Sequence, residues 1–200
     1  MTILSNQKSI YAYAYAYAYA YAYVKSAFAL KGGEGSGNFD HAGRPGEVGG
    51  SAPSGFGTNK SDNVKIAVSK AEKLGMNVTT SSITKVPKDE VAIYNNSTGE
   101  VFINTRADYW NNPIEYAKKN YENGWLSSSN PMHPIYHEQG HALFDPSPNW
   151  NGGKDIAARV SKYATVNPRE FVSEVYAGLK AEKKYDADVM RFYNQYARKR

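Results

Sequence analysis

From residue 61 onward, apolar positions recur at spacings that switch between helical and extended. Val64, Ala67, Val68, Ala71 and Leu74 repeat at helical intervals, predicting a helix opened by Ser61 and closed by Gly75. The stretch from Val78 to Val86 contains a strand. Val91-Ala92-Ile93-Tyr94 and Glu100-Val101-Phe102-Ile103-Asn104 flank Asn95-Asn96-Ser97-Thr98-Gly99, whose turn residues predict a hairpin. Pro113 opens a second helix that runs to about Asn123, and a third begins near Pro134. A Pro/Gly/Asn-rich loop over 145–154 precedes a short helix at 156–162. Asn167-Pro168 then caps a longer helix, and a last one fills 186–197. A helix, a small sheet and then several helices define an α+β domain over 61–200.

Residues 1–60 follow none of these periods and read as a low-complexity arm. Strict alternation over 11–23 puts Tyr11, Tyr13, Tyr15, Tyr17, Tyr19, Tyr21 and Tyr23 on one face of an extended strand. Such a strand can self-associate through an open edge; the rival reading is a low-complexity expansion with no defined fold. With no second alternating segment beside it to form a hairpin, the expansion is favoured. Residues 31–60 hold ten of the seventeen glycines, a composition suited to a flexible linker. Gly33-Glu34-Gly35-Ser36-Gly37 lacks the Gly-Lys-Ser/Thr ending of a phosphate loop.

Composition removes whole classes of chemistry. With no cysteine, the chain has no disulfide scaffold, thiolate nucleophile or Cys-ligated metal. The net charge of +5 is spread out, with five basic and three acidic residues in 1–60 against nineteen and sixteen in 61–200. Nucleic-acid binding is therefore not required by the pattern. The uncharged run from Ile10 to Val24 is too short and too tyrosine-rich to span a membrane. Lys8 before the run and Ala27-Phe28-Ala29 after it mimic a secretory signal, but Lys25 and the seven tyrosines argue against one.

His137-Glu138-Gln139-Gly140-His141 fits H-E-x-x-H. On a helix the two histidines lie one turn apart, so both imidazoles can reach a single metal ion. Glu138 falls about 100° around the helix, within reach of a water at that ion. Apolar flanks (Ile135, Tyr136, Ala142, Leu143) predict a buried helix, whose histidines need partners. Two histidines leave a zinc site one protein ligand short, and Asp145, Asp155, Glu170 and Glu174 are the next candidates. Glu170 and Glu174 are one turn apart on the helix after Pro168; a helix that delivers a carboxylate gives the His2Glu set of thermolysin. His133 lies four residues before His137, with Pro134 expected to break the helix between them, which assigns it to the surface or cleft rather than to a metal.

Two segments resemble a known family. Tyr163-Ala164-Thr165-Val166-Asn167-Pro168-Arg169-Glu170-Phe171-Val172-Ser173-Glu174 resembles the Y-x-x-x-N-x-x-E-F-x-x-E segment of the anthrax lethal factor metallopeptidase family. His137-Glu138-Gln139-Gly140-His141-Ala142 is similar to that family's H-E-x-G-H-A. The resemblance implies a zincin-like, gluzincin-type domain with zinc held by His137, His141 and Glu170 and with Glu138 as catalytic carboxylate. It further implies a catalytic hydroxyl at Tyr163, steadying the oxyanion or protonating the leaving amine, and an acceptor for a liganding histidine at Glu174. Related zincin domains occur in phage-encoded head-associated proteins. In agreement, Gly35-Ser36-Gly37-Asn38-Phe39-Asp40-His41-Ala42-Gly43-Arg44-Pro45-Gly46-Glu47-Val48-Gly49-Gly50-Ser51 resembles a glycine-rich stretch of phage minor-head and head-morphogenesis proteins.

The expectation is a phage-encoded zinc endopeptidase that acts on a protein or peptide, with phage head proteins, a host protein or the chain itself as substrate, in the host cytoplasm or virion. The alternative is a catalytically silent phage structural protein of the same fold.

Overall fold

The computed structural model describes residues 55–81, 90–146, 150 and 153–198. The tyrosine–alanine repeat and the glycine-rich segment up to residue 54 lie outside the described residues, as does the stretch 82–89 on which part of the expected strand from Val78 fell.

Helix α1 (Lys60–Lys73) begins where the Asn59 side chain accepts the Asp62 N–H, one residue earlier than expected from Ser61. It buries Val64, Ala67 and Ala71 as its period requires. Leu74 departs from the expected apolar face: the helix ends at Lys73, and Leu74 sits at the cap, 40% exposed. Phe56 packs in the same core, and the Asn63 side chain holds both the N–H and C=O of Gly57, so the packed unit reaches back to Phe56.

Strands β1 (Val78–Ser81), β2 (Ala92–Asn95) and β3 (Glu100–Asn104) form a sheet in the order β1-β3-β2. The hairpin forms as the turn chemistry predicts, with Tyr94 opposite Val101 and Asn95 opposite Glu100 in antiparallel register. Gly99 takes φ 70° at its end, a value that glycine adopts without steric cost. β1 joins β3 in parallel, leaving β2 at the edge among the described residues. A 3-10 turn (Asp108–Asn111) buries Trp110 beneath α1, and α2 (Pro113–Glu122) starts with Pro113 behind an Asn112 cap.

Helix α3 (His133–His141) carries the histidine motif. Next come α4 (Gly153–Ala158), a 3-10 turn (Tyr163–Thr165), α5 (Pro168–Lys180) and α6 (Ala187–Tyr196). The helix expected at 156–162 instead ends at Ala158. The Lys162 and Tyr163 N–H groups leave the helical ladder to pair with the Gly124 and Trp125 carbonyls across the domain. The architecture is α+β, with six α-helices and a three-stranded sheet among the described residues. None of these helices is long and apolar enough to cross a membrane.

Two apolar clusters organise the unit. One joins α1, the sheet and the 3-10 turn to Met132 and Ile135 around α3; the other joins α4, α5 and α6 around Phe171, Val172 and Val175. Helix α3 lies between them and packs most extensively against α5. A Cβ on Gly140 would stand 2.6 Å from Ser173 Cα and 3.2 Å from its carbonyl oxygen, so glycine permits this approach. Gly140→Ala is expected to cost about 1–3 kcal/mol, since backbone cannot yield as a side chain does. Urea unfolding measures it, and wild-type stability would show the helices free to separate.

Candidate metal centre

The close contact of α3 and α5 brings five acids and bases together out of water. His137, Glu138, His141, Glu170 and Glu174 are all buried. His137 Nε2 lies 2.9 Å from Glu170 Oε2, and His141 Nε2 lies 3.6 Å from the same oxygen. The two imidazoles meet edge to face, their centroids 4.8 Å apart. Donors held about 2.0–2.1 Å from a tetrahedral zinc stand about 3.3 Å from one another. The Glu170 contacts bracket that value, and ligand atoms of His137, Glu138 and His141 lie within 4.8 Å of one another.

Helix ends explain how Glu170 arrives. The Asn167 side chain accepts the Glu170 N–H at 2.9 Å, and Pro168 occupies the first turn, fixing Glu170 in that turn where free N–H groups favour a charged carboxylate. Asp145 and Asp155, the other candidates, are placed elsewhere. The Asp145 N–H pairs with the Tyr196 carbonyl beyond α3, and Asp155 is exposed on α4.

Glu138 projects to the side of the histidine pair. Its Oε2 accepts the Tyr94 N–H of edge strand β2 at 2.8 Å and lies 3.8 Å from His141 Nε2. In the antiparallel register the Tyr94 N–H points away from β3, so the edge of the sheet supplies this donor. Burial raises the Glu138 pKa to about 7, with the charge of Glu170 adding to the rise and His137, the Tyr94 N–H and Arg169 opposing it.

Behind His137 lies the most heavily bonded carboxylate of the site. Glu174 Oε1 accepts from His137 Nδ1 and His133 Nε2, each at 2.9 Å. Its Oε2 accepts the Ser127 N–H at 2.7 Å and the Ser161 hydroxyl at 2.9 Å. Four donors match the lone-pair capacity of one carboxylate. Burial alone would raise the Glu174 pKa, but His133 and His137 hold it well below the usual carboxylate range. His137 donates its Nδ1–H to Glu174 and its Nε2–H to Glu170, so the Nδ1 bond fixes the ring in the orientation whose Nε2 would face an ion once that second proton is displaced.

His141 Nδ1 meets Ser173 Oγ at 2.7 Å and Arg169 Nε at 3.2 Å. Ligation through Nε2 puts the proton on Nδ1, where Ser173 accepts it; the Arg169 contact belongs to the other tautomer. Arg169 also reaches Asn96 in the hairpin turn, at 3.1 Å.

The structure places Tyr163 against the site as a ring. It is sandwiched between Trp125 and His137, with centroid distances of 5.3 and 5.2 Å. His133 corrects the expectation of a surface or cleft position: it is 1% exposed and is the first residue of α3. Pro134 does not break the helix, because in the first turn its missing N–H has no intrahelical partner to lose. His133, Ser127, Ser161, Ser173 and Arg169 were not read from the sequence as parts of the site. The i, i+4 spacing of His133 and His137 was the one local signal for any of them.

Protonation makes a testable consequence. Burial works to lower the His137 pKa, but hydrogen bonds to Glu170 and Glu174, together with their charges, overcome it and raise the value to about 10. Burial lowers the His141 pKa to about 3, helped by the charges of His137 and Arg169 against those of Glu170 and Glu174. A zinc ion ligated by both histidines would therefore have to displace the His137 proton at neutral pH, whereas His141 is already neutral. Zinc affinity is expected to climb about tenfold per pH unit from neutrality toward the His137 pKa of about 10. Titration calorimetry in buffers of different ionisation enthalpy should show about one proton released per zinc, plus a fraction from Glu138. Zero release would place zinc away from His137.

The chain matches no protein-family model, no curated protein and no solved structure.

Proposed function

We propose that residues 61–200 form a zinc metallopeptidase domain of zincin-like fold, with His137, His141 and Glu170 as ligands. The observation that carries this reading is the convergence of His137 Nε2 and His141 Nε2 on Glu170 Oε2 at 2.9 and 3.6 Å, beside a second carboxylate of raised pKa. When bound, the metal supplies Lewis acidity, making a water more acidic and polarising a carbonyl.

The chain's own groups divide the remaining work. Glu138, oriented by the Tyr94 N–H, takes the proton of the water that attacks the peptide carbon and passes it to the leaving amine. A pKa of about 7 suits both halves of that transfer at neutral pH. Glu174 holds the ring of His137 in the ligating tautomer. The Tyr163 hydroxyl steadies the oxyanion or protonates the amine, a role that rests on the family resemblance and agrees with its ring lying on His137. Phage head proteins or a host protein are the substrate classes that the resemblance implies. Cleavage of denatured proteins by the full chain, abolished by a chelator and restored by zinc, tests the reading. Failure to cleave when zinc-loaded would favour the silent structural protein.

A further inference from the structure

We infer that His133 is a positioning residue for the metal centre, acting on the ligand His137 through the carboxylate of Glu174. The inference rests on the zinc-site reading above and extends it by one turn of α3. His133 and His137 occupy the same face of the helix, with ring centroids 6.1 Å apart. Both donate to a single oxygen, Glu174 Oε1, at 2.9 Å. The other His133 nitrogen, Nδ1, lies 3.0 Å from Ser128 Oγ.

With His133 as the neutral imidazole, the protons along this chain have one arrangement that leaves His137 Nε2 free to ligate. His137 Nδ1 carries its proton toward Glu174, so Nε2 offers a lone pair. Glu174 is a pure acceptor, so His133 carries its proton on Nε2, and Ser128 then donates its hydroxyl proton to His133 Nδ1. Each group fixes the next, starting from a serine more than one residue away from any ligand. His133 and Glu174 are 1% and 0% exposed, so no water stands ready to replace a lost donor. Without the His133 donor, Oε1 is held by His137 alone, and the carboxylate can shift toward the Ser127 and Ser161 side. The His137 ring then loses its fixed orientation.

Two amides of similar polarity separate positioning from mere space filling. The amide nitrogen of glutamine can stand where the imidazole Nε2 stands, whereas that of asparagine stands where Nδ1 does. His133→Gln should therefore keep zinc affinity near wild type, and His133→Asn should lower it by about 10–100-fold, measured by chelator competition. Ser128→Ala pulls the same lever more gently and should give a smaller loss in the same direction. A second readout is the cobalt-loaded protein, whose exchangeable ligand Nδ1–H resonances report each histidine. In His133→Asn the His137 resonance should shift or exchange faster, while that of His141 stays in place. Equal zinc affinity in the Gln and Asn variants, both at the wild-type level, would overturn the inference and leave the zinc site standing. Wild-type protein that binds no zinc would overturn the zinc-site reading itself, and with it any role for His133.

Discussion

Replacing Glu138 with glutamine is expected to leave zinc content at the wild-type level while cutting peptidase turnover by about 10²–10⁴-fold, the usual contribution of a positioned general base. The amide keeps the shape of the carboxyl and still offers an oxygen to the Tyr94 N–H, which lies 2.8 Å from Glu138 Oε2 in the native site. It cannot take a proton from water at neutral pH. Zinc retention separates this loss from damage to the proposed metal centre, where Glu138 Oε2 lies 3.8 Å from His141 Nε2. Metal analysis together with a cleavage assay on one preparation measures both quantities. Turnover within a fewfold of wild type would remove Glu138 from the mechanism; loss of zinc would make it a ligand.

The second large effect divides Glu170 from Glu174. Glu170→Ala should abolish tight zinc binding, since it removes one of the three proposed ligands and leaves His137 and His141 alone. Glu174→Ala should weaken binding by about 10–100-fold, because it touches the metal only through His137 Nδ1. The folding penalty runs the other way. Glu174 is fully buried and serves four donors, so its loss orphans the Ser127 N–H, the Ser161 hydroxyl and both histidines at once. Stranding a network of this kind costs about 3–5 kcal/mol, more than truncating Glu170, whose carboxylate meets His137 and His141. Chelator competition and chemical unfolding of the two variants give both rankings. The reverse order of zinc loss would make Glu174 the ligand and move the proposed resemblance to the lethal factor family by one helical turn.

The parts of this site that were legible in the sequence are those that local rules control. The i, i+4 histidines of α3, the Asn167-Pro168 start of α5 and the turn residues of the β2–β3 hairpin each act over a few residues. Each fixes the geometry of its own element. The choice of Glu170 over Asp145 followed from helix-end chemistry and a resemblance; the Asp145 N–H pairs with the Tyr196 carbonyl. What stayed hidden depends on tertiary packing. The role of His133 depended on Pro134 falling in the first turn of α3 rather than within it, a boundary difference of one residue. Ser127 and Ser161 lie 47 and 13 residues from Glu174, and no spacing rule connects them. Gly140 stood in the motif without a reason until Ser173 was seen packed against it. The helix expected at 156–162 was lost to the Gly124 and Trp125 carbonyls, partners that no local pattern names.

Anomalous diffraction at the zinc edge, from a crystal of the full chain purified without added metal, bears most directly on the central claim. The account predicts one strong peak about 2.0–2.2 Å from His137 Nε2, His141 Nε2 and a Glu170 carboxylate oxygen, with Glu174 outside that distance. A peak bound through His133 and His137 Nδ1, or zinc absent from a site with all three ligands intact, would contradict it.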